Sequence, residues 1–295
     1  MSVAAPLRQN LIAVLAVLLA MTSVTSGAAI AKSLFAAIGA EGATGMRNGL
    51  GALILLAVWR PWRWGRLNRK QAGLVLVYGL NLGAMNLLYY CSLRTLPLGL
   101  AVAIEFLGPF SLALLHSRRA ADLLWLGFAV AGLVMLLPIG AGGLAVDPLG
   151  AAYALAAGAA WALYIVFGQK AGAVLAGGQV TSLGTAVAGL LTFPIGFAHA
   201  GSALFAGPTL LAAAGVAIFS SAIPYSFDMV ALKILPTRTF GILMSIEPAI
   251  GALCGFLLLG EALTLRQQIA IACVIIASFG STASASRALP LTPEN

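Results

Sequence analysis

Two glutamates, Glu105 and Glu247, lie deep inside the apolar runs Leu96–Leu115 and Thr239–Leu259. A hydrocarbon core about 30 Å thick takes roughly 20 helical residues to cross. At about 1.5 Å per residue, both carboxylates fall some 12–14 Å deep, near the midplane. A charge there is costly and calls for a partner, a proton or a water-filled cavity. The chemistry such a pair offers is reversible binding of a cation, a proton or a substrate ammonium. Pro109 follows Glu105 by four residues, and Pro248 follows Met244 by four. A proline ring clashes with the carbonyl four residues back. Both helices are therefore expected to kink there, each freeing a carbonyl near a glutamate.

Other polar groups recur at helical spacing. Asn86 and Tyr90 are i, i+4, and Trp161, Tyr164 and Gly168 share one face. Ser221, Tyr225 and Asp228 flank Pro224, and Thr22, Ser23, Thr25 and Ser26 cluster in the first apolar run. Such groups either line a polar cavity or form ordinary bonds between helices. Arg47 lies about five residues inside an apolar run. It can snorkel outward, pair with a glutamate or bind a substrate carboxylate.

These groups must be positioned by membrane helices. Hydrophobic residues make up 61% of the chain and charged residues 8%, with mean hydropathy +1.03. A soluble domain carries about 25% charged residues. Ten spans are expected, near 11–31, 42–59, 72–92, 96–115, 122–139, 149–168, 180–198, 208–230, 239–259 and 266–284. Only helices or closed barrels cross lipid, and segments this long are helices. The fold class is thus an all-α integral membrane protein with no soluble domain. The first run faintly imitates a signal peptide, but nine spans follow it, and a retained helix is expected.

The loops set the orientation. With the N-terminus inside, the cytoplasm receives Arg8, Arg60, Arg63, Arg66, Arg69, Lys70, Arg118, Arg119, Lys170, Lys233, Arg238 and Arg287. The outer side receives only Lys32, Arg94 and Arg266. That bias places both termini in the cytoplasm. It also explains the net charge of +8 without nucleic acid, because the densest cluster, Arg60–Gln71, is a solvated loop flanked by Trp59, Trp62 and Trp64.

The chain also repeats. A shift of 139 residues lays Leu96-Pro97 on Leu235-Pro236, Arg94 on Lys233, Pro109 on Pro248 and Asp122 on Glu261; a shift of 138 lays Lys32 on Lys170. Each half, 1–140 and 141–295, holds five spans. Five is odd, so the second half enters from the opposite side. Inverted repeats are a transporter plan, with the substrate site at the repeat interface.

No H-E-x-x-H, G-x-S-x-G or P-loop pattern is present. Direct use of ATP and the common hydrolytic chemistries are thus not expected, nor is any cofactor or metal. Cys91, Cys254 and Cys273 lack metal-ligand spacing and are read as small hydrophobes. His116 and His199, in or beside loops, are not expected to be ligands.

The strings YYCSLRTLPLGLAVAIEFLGP (89–109) and AIPYSFDMVALKILPTRTFGILMSIEPAIGA (222–252) resemble the EamA branch of the drug/metabolite transporters. Within it they are most similar to the bacterial threonine/homoserine exporters. GAAIAKSLF (27–35) and WALYIVFGQKAGA (161–173) extend the resemblance to nearly the whole chain. It implies ten helices in two inverted five-helix repeats, a central cavity and efflux of small amino acids across the bacterial inner membrane. The expected partners are a small amino acid, protons and the bilayer, with the chain a monomer or homodimer. The candidate contacts for substrate or proton are Glu105, Glu247, Asn86, Tyr90, Trp161, Tyr164, Tyr225, Ser26 and Arg47. Transport of another metabolite or drug is the nearest alternative. A membrane-embedded enzyme or lipid-handling protein is the alternative of another class, and the isolated midplane acids argue against it.

Overall fold

The computed structural model of the chain describes residues 4–115, 121–136, 146–224, 227, 234 and 243–285. The described elements are helical, with no strand among them. They are α1 (Ala4–Ser33), α2 (Phe35–Trp59), α3 (Arg69–Ser92), α4 (Leu98–Glu105), α5 (Leu107–Leu115) and α6 (Ala121–Leu136). They continue as α7 (Pro148–Gly172), α8 (Gly177–Ala200), α9 (Gly207–Ala217), α10 (Glu247–Leu259) and α11 (Leu265–Ala285). Four helical stretches are long and apolar enough to cross a membrane unbroken: Leu11–Ser33, Arg69–Ser92, Pro148–Gly172 and Gly177–Phe205. Leu53, Leu190, Leu211 and Phe256 are exposed on the bundle surface. Such exposure suits helices solvated by lipid rather than water.

Local sequence sets the helix ends. Asn68 and Gln71 form a reciprocal capping box that starts α3. Asp147 caps α7 ahead of Pro148, its side chain accepting from the Gly150 N–H at 2.8 Å. Gly260 ends α10 in the left-handed conformation (φ 66°), a geometry that suits glycine. Gly39 (φ 68°) kinks α2, which starts at Phe35, earlier than the span expected from residue 42.

Regular helix is interrupted near both prolines, Pro109 and Pro248. The span 96–115 is two helices, α4 and α5, divided at Phe106. Pro109 occupies the first turn of α5, and its missing N–H leaves the Glu105 carbonyl without a helical donor. Regular helix α10 begins at Glu247, after a turn at Ser245 and Ile246. Pro248 stands in the first turn after this interruption, and Leu243 and Met244 before it are also helical, the arrangement of a kinked helix. Phe106 and Ser245 are separated by 139 residues, so both breaks fall at the same point of the sequence repeat.

Glycine lets the broken segments pack. A Cβ on Gly158 of α7 would lie 2.5 Å from the carbonyl oxygen of Glu105, and one on Gly108 would overlap the Gly158 backbone. The carbonyl that Pro109 releases thus lies against α7. α4 also crosses α10, where Gly99 meets the backbone of Ala252 and Gly251 meets Val102. Elsewhere α2 packs on α8, α3 on α7, and α6 on α11. Of the three free cysteines, Cys91 and Cys254 are buried and Cys273 is half-buried.

Candidate transport site

The bundle encloses a cavity of about 880 Å³. Both glutamates line it, Glu105 from the C-terminal end of α4 and Glu247 from the first turn of α10. They are 7% and 9% exposed. Each lies in the other's field, and Arg47 lies in the field of Glu105. Arg47 comes from α2 and is only 7% exposed, so it does not snorkel outward. Its guanidinium lies 5.3 Å from the centre of the Tyr90 ring and donates to the Ser220 carbonyl at 3.3 Å.

That carbonyl is available for a local reason. Pro224 has no N–H, so the carbonyl four residues back loses its helical donor. The chain widens there into a π turn, Ile218–Ala222, as membrane helices do where a partner re-satisfies the backbone. Arg47 takes the Ser220 carbonyl, and Ser23 of α1 donates to that of Phe219 at 2.7 Å. One of the four hydroxyls clustered in α1 therefore repairs the backbone of another helix.

α3 presents Leu82, Met85, Asn86 and Tyr89 to the cavity, at i, i+3, i+4 and i+7. Tyr90 lies off this face and is fully buried. Asn86 also ties three helices together: its Nδ2 donates to Asn48 Oδ1 at 3.0 Å, and Asn48 Nδ2 donates to Thr192 Oγ1 at 3.2 Å. Trp161 and Tyr164 of α7 form the opposite wall. Trp161 packs edge-on against Phe106 (5.5 Å, 85°), and Tyr164 stacks on Tyr78, with the hydroxyls 3.1 Å apart. Gly168, placed on the same face from the sequence, abuts the Tyr78 ring as Tyr164 does. Ser26 does not reach the wall; its Oγ lies 3.8 Å from Cys254 Sγ, and from the α1 hydroxyl cluster it is Thr25 that lines the cavity. Pro109 lines the cavity. Tyr225 and Asp228 fall outside the described residues.

Sequence reasoning did not single out Tyr89, Ser220, Gln169 or Lys170 as lining residues. Pro224 marked the Ser220 carbonyl in advance. The Asn86 periodicity admitted Tyr89 and Tyr90 equally. No group of three or more His, Cys, Asp and Glu residues suited to a metal occurs among the described residues.

The two ends of the cavity differ. One end reaches Gln169 and Lys170, which are exposed. This end adjoins the basic loop, because Gln71 donates to the Val174 carbonyl in the α7–α8 connection at 3.2 Å. The other end stops at Ala28, Tyr89 and Val102, all buried. Beyond them lies a tight cluster that includes Ala31, Leu96, Leu98 and Leu100. Ion pairs sit over that cluster: Lys32 with Glu261 (2.5 Å) and Arg94 with Glu41, with His199 3.8 Å from Glu41. Lys32 and Arg94, both assigned to the outer side, are thus paired with acids.

Residues 148–283 match the model of the EamA-like transporter family. The chain is 49% identical over 259 residues to the threonine/homoserine exporter RhtA of Salmonella typhimurium (strain SL1344), covering 88% of this chain and 87% of that protein. It is 48% identical over 254 residues to the threonine/homoserine exporter RhtA of Escherichia coli (strain K12), covering 86% and 85%. The chain belongs to the EamA-like transporter family. A solved crystal structure shares its fold, with a TM-score of 0.64, 22% identity, and coverage of 96% of this chain and 99% of that one. The family is one of transporters.

Proposed function

We propose that this EamA-family transporter exports threonine, homoserine and similar small neutral amino acids across the bacterial inner membrane, exchanging them for protons. One observation carries the reading: Arg47, Glu105 and Glu247 line a single cavity open at one end. A zwitterion needs acceptors for its ammonium and donors for its carboxylate, and these three side chains offer both. Thr25, Asn86 and Tyr89 add polar groups suited to a side-chain hydroxyl. Ser26 and Tyr90 lie behind these contacts, and Tyr225 stays a candidate contact from the sequence. The names of the two relatives support the substrate class.

In this reading the chain is two inverted five-helix repeats, 1–140 and 141–295, rocking about the cavity. Both termini and the Arg60–Gln71 loop are cytoplasmic. The equivalent helix breaks at Phe106 and Ser245 support the repeat, and the gathering of basic residues at one end of the bundle supports the orientation. The exposed Lys170 end then opens to the cytoplasm, where substrate for export is taken up.

A second reading has one observation in its favour. A volume near 880 Å³ exceeds what one small amino acid fills, and Leu82, Phe106 and Trp161 give it broad apolar walls. A larger amphipathic metabolite or drug fits such a space. Proteoliposomes loaded with labelled threonine, homoserine, other amino acids and lipophilic cations decide between the two. An imposed proton gradient should drive out threonine and homoserine first. Efflux of the cations but of no neutral amino acid would overturn the assignment.

A further inference from the structure

A polar relay through three helices runs in one direction and ends in the cavity. It begins in α8, where the Thr192 hydroxyl gives its single hydrogen to the Ala188 carbonyl, four residues back, at 2.8 Å. With that hydrogen committed, Thr192 Oγ1 can only accept. It accepts from Asn48 Nδ2 of α2 at 3.2 Å. Asn48 therefore turns its Oδ1 the other way, and this oxygen takes Asn86 Nδ2 of α3 at 3.0 Å. Asn86 has turned its amide nitrogen to the relay, so its Oδ1 is the group left over.

Tight helix contacts hold the relay. A Cβ on Gly45 of α2 would lie 2.9 Å from the Thr192 carbonyl oxygen, and one on Gly83 of α3 would lie 3.2 Å from Ala188 Cα. Backbones this close bring three short side chains within reach of one another. Thr192, Asn48 and Asn86 are 0%, 2% and 4% exposed, so bulk water does not compete for these bonds. Asn86 lines the cavity, and Asn48 and Thr192 stand behind it. Asn86 Oδ1 takes no hydrogen bond from the described residues and is not sealed from the cavity.

We propose that Asn86 Oδ1 is the contact by which the cavity selects a solute hydroxyl, and that Asn48 and Thr192 are positioning residues that keep this oxygen turned inward. The inference rests on the export of hydroxyl-bearing amino acids proposed above and deepens that reading. The two acids and Arg47 answer the solute's ammonium and carboxylate, whose charges make them the stronger partners. A neutral acceptor suits the uncharged donor that remains, the O–H of threonine or homoserine. When solute displaces the water from Asn86 Oδ1, only a solute that donates restores its bond. A site built this way rejects an analogue lacking the hydroxyl far better than an apolar pocket rejects an extra methylene. The direction of the relay adds a stricter rule: the solute oxygen must carry a hydrogen. An ether in its place meets Asn86 oxygen to oxygen.

Export by the full chain in proteoliposomes tests this rule with homoserine, O-methylhomoserine and norvaline, which has a methyl in place of the hydroxyl. A cavity of about 880 Å³ has room for the added methyl, so rejection of the ether is not steric. In the parent, the KM for homoserine should be roughly tenfold or more below those of the ether and norvaline, which should be alike. Asn86→Leu should bring the three values within about threefold of one another, chiefly by raising that of homoserine. Thr192→Val keeps the shape of threonine but cannot accept. It should shrink the gap between homoserine and the ether by about threefold or more, because the two amides can then reverse and offer Asn86 Nδ2 to the ether oxygen. Thr192→Ser, which keeps the hydroxyl, should retain the gap. Rates are normalised to the amount of protein in the membrane. If Thr192→Val slows all three solutes equally and leaves the gap intact, its role is structural and the relay is overturned. Equal KM for homoserine and its ether in the parent would overturn the contact whether or not the variants insert, and would leave amino-acid export standing. Export of none of the three solutes would remove the function proposed above and this contact with it.

Discussion

Glu105 is the last residue of α4, and Glu247 is the first residue of α10. The two carboxylates therefore face one cavity from helix ends of opposite polarity. A helix N-terminus carries roughly half a positive charge and a C-terminus roughly half a negative one. Glu247 thus sits where an anion is welcome, and Glu105 where it is not. Two acids on one solute need not do the same work, and in the proposed exchange this polarity favours the ammonium at Glu247 and the coupling proton at Glu105.

The two neutral variants should separate these roles. Losing a charge-assisted bond costs about 1.5–3 kcal/mol, roughly a tenfold to hundredfold loss of affinity. Glu247→Gln should therefore weaken substrate exchange by that factor, with or without a proton gradient. Glu105→Gln should keep exchange between equal pools and lose the part of efflux driven by pH. Counterflow and gradient-driven efflux, measured side by side in proteoliposomes, distinguish them. Parental behaviour in both variants would pass the proton to a group outside this pair.

The neighbouring tyrosines of α3 offer a test of register. Tyr89 lines the cavity, whereas the Tyr90 hydroxyl is buried with no hydrogen-bond partner among the described residues. Tyr90→Phe removes that stranded hydroxyl and keeps the ring beneath Arg47, so stability should hold or rise by up to about 1 kcal/mol. Tyr89→Phe should instead raise the KM for export. Thermal melting in detergent and efflux assays check the pair. A transport defect confined to Tyr90→Phe would mean that the solute reaches the Tyr90 side of α3.

The sequence exposed the acids and the helix breaks because cost and geometry mark them locally. A carboxylate at midplane and a proline four residues after a carbonyl are legible without neighbours. Arg47 was legible as an anomaly, but its place was not, since snorkelling and burial depend on which helix lies opposite. The same limit hid the Lys32–Glu261 and Arg94–Glu41 pairs, whose partners lie 229 and 53 residues apart. Tyr89 and Tyr90 differ by one step of about 100° around the helix. Only the crossing of α3 with its neighbours decides which faces the solute.

Gly158 should be among the positions least tolerant of a side chain. It accommodates the Glu105 carbonyl and the Gly108 backbone where α4 gives way to α5. Overfilling a packed contact costs about 1–3 kcal/mol, and here the obstacle is backbone, which cannot rotate away. Gly158→Leu should lower the melting temperature and the yield in membranes. Gly172→Leu, where a Cβ meets nothing within 4 Å, should not. Equal yields and melting temperatures would show that the α4–α5 break can move off α7.

Asp147 links a loop to stability through pH. Its Oδ2 accepts from the Thr95 hydroxyl at 2.7 Å and from the Gly150 N–H at 2.8 Å, fastening the start of α7 to the turn before α4. The Thr95 bond first, and then the backbone N–H of Gly150, hold this carboxyl below its ordinary value. Both bonds favour the charged form, so the folded state binds the proton less readily than the unfolded chain does. The stability they confer is complete above the ordinary aspartate value, about 3.9, and is lost as pH falls through the lowered folded value. Asp147→Ala should therefore melt below the parent at neutral pH, and the gap should narrow only under about pH 4. Comparing the two proteins at each pH cancels the titration of the other acids. A gap that stays constant down to pH 3 would place the role of Asp147 in packing rather than in its charge.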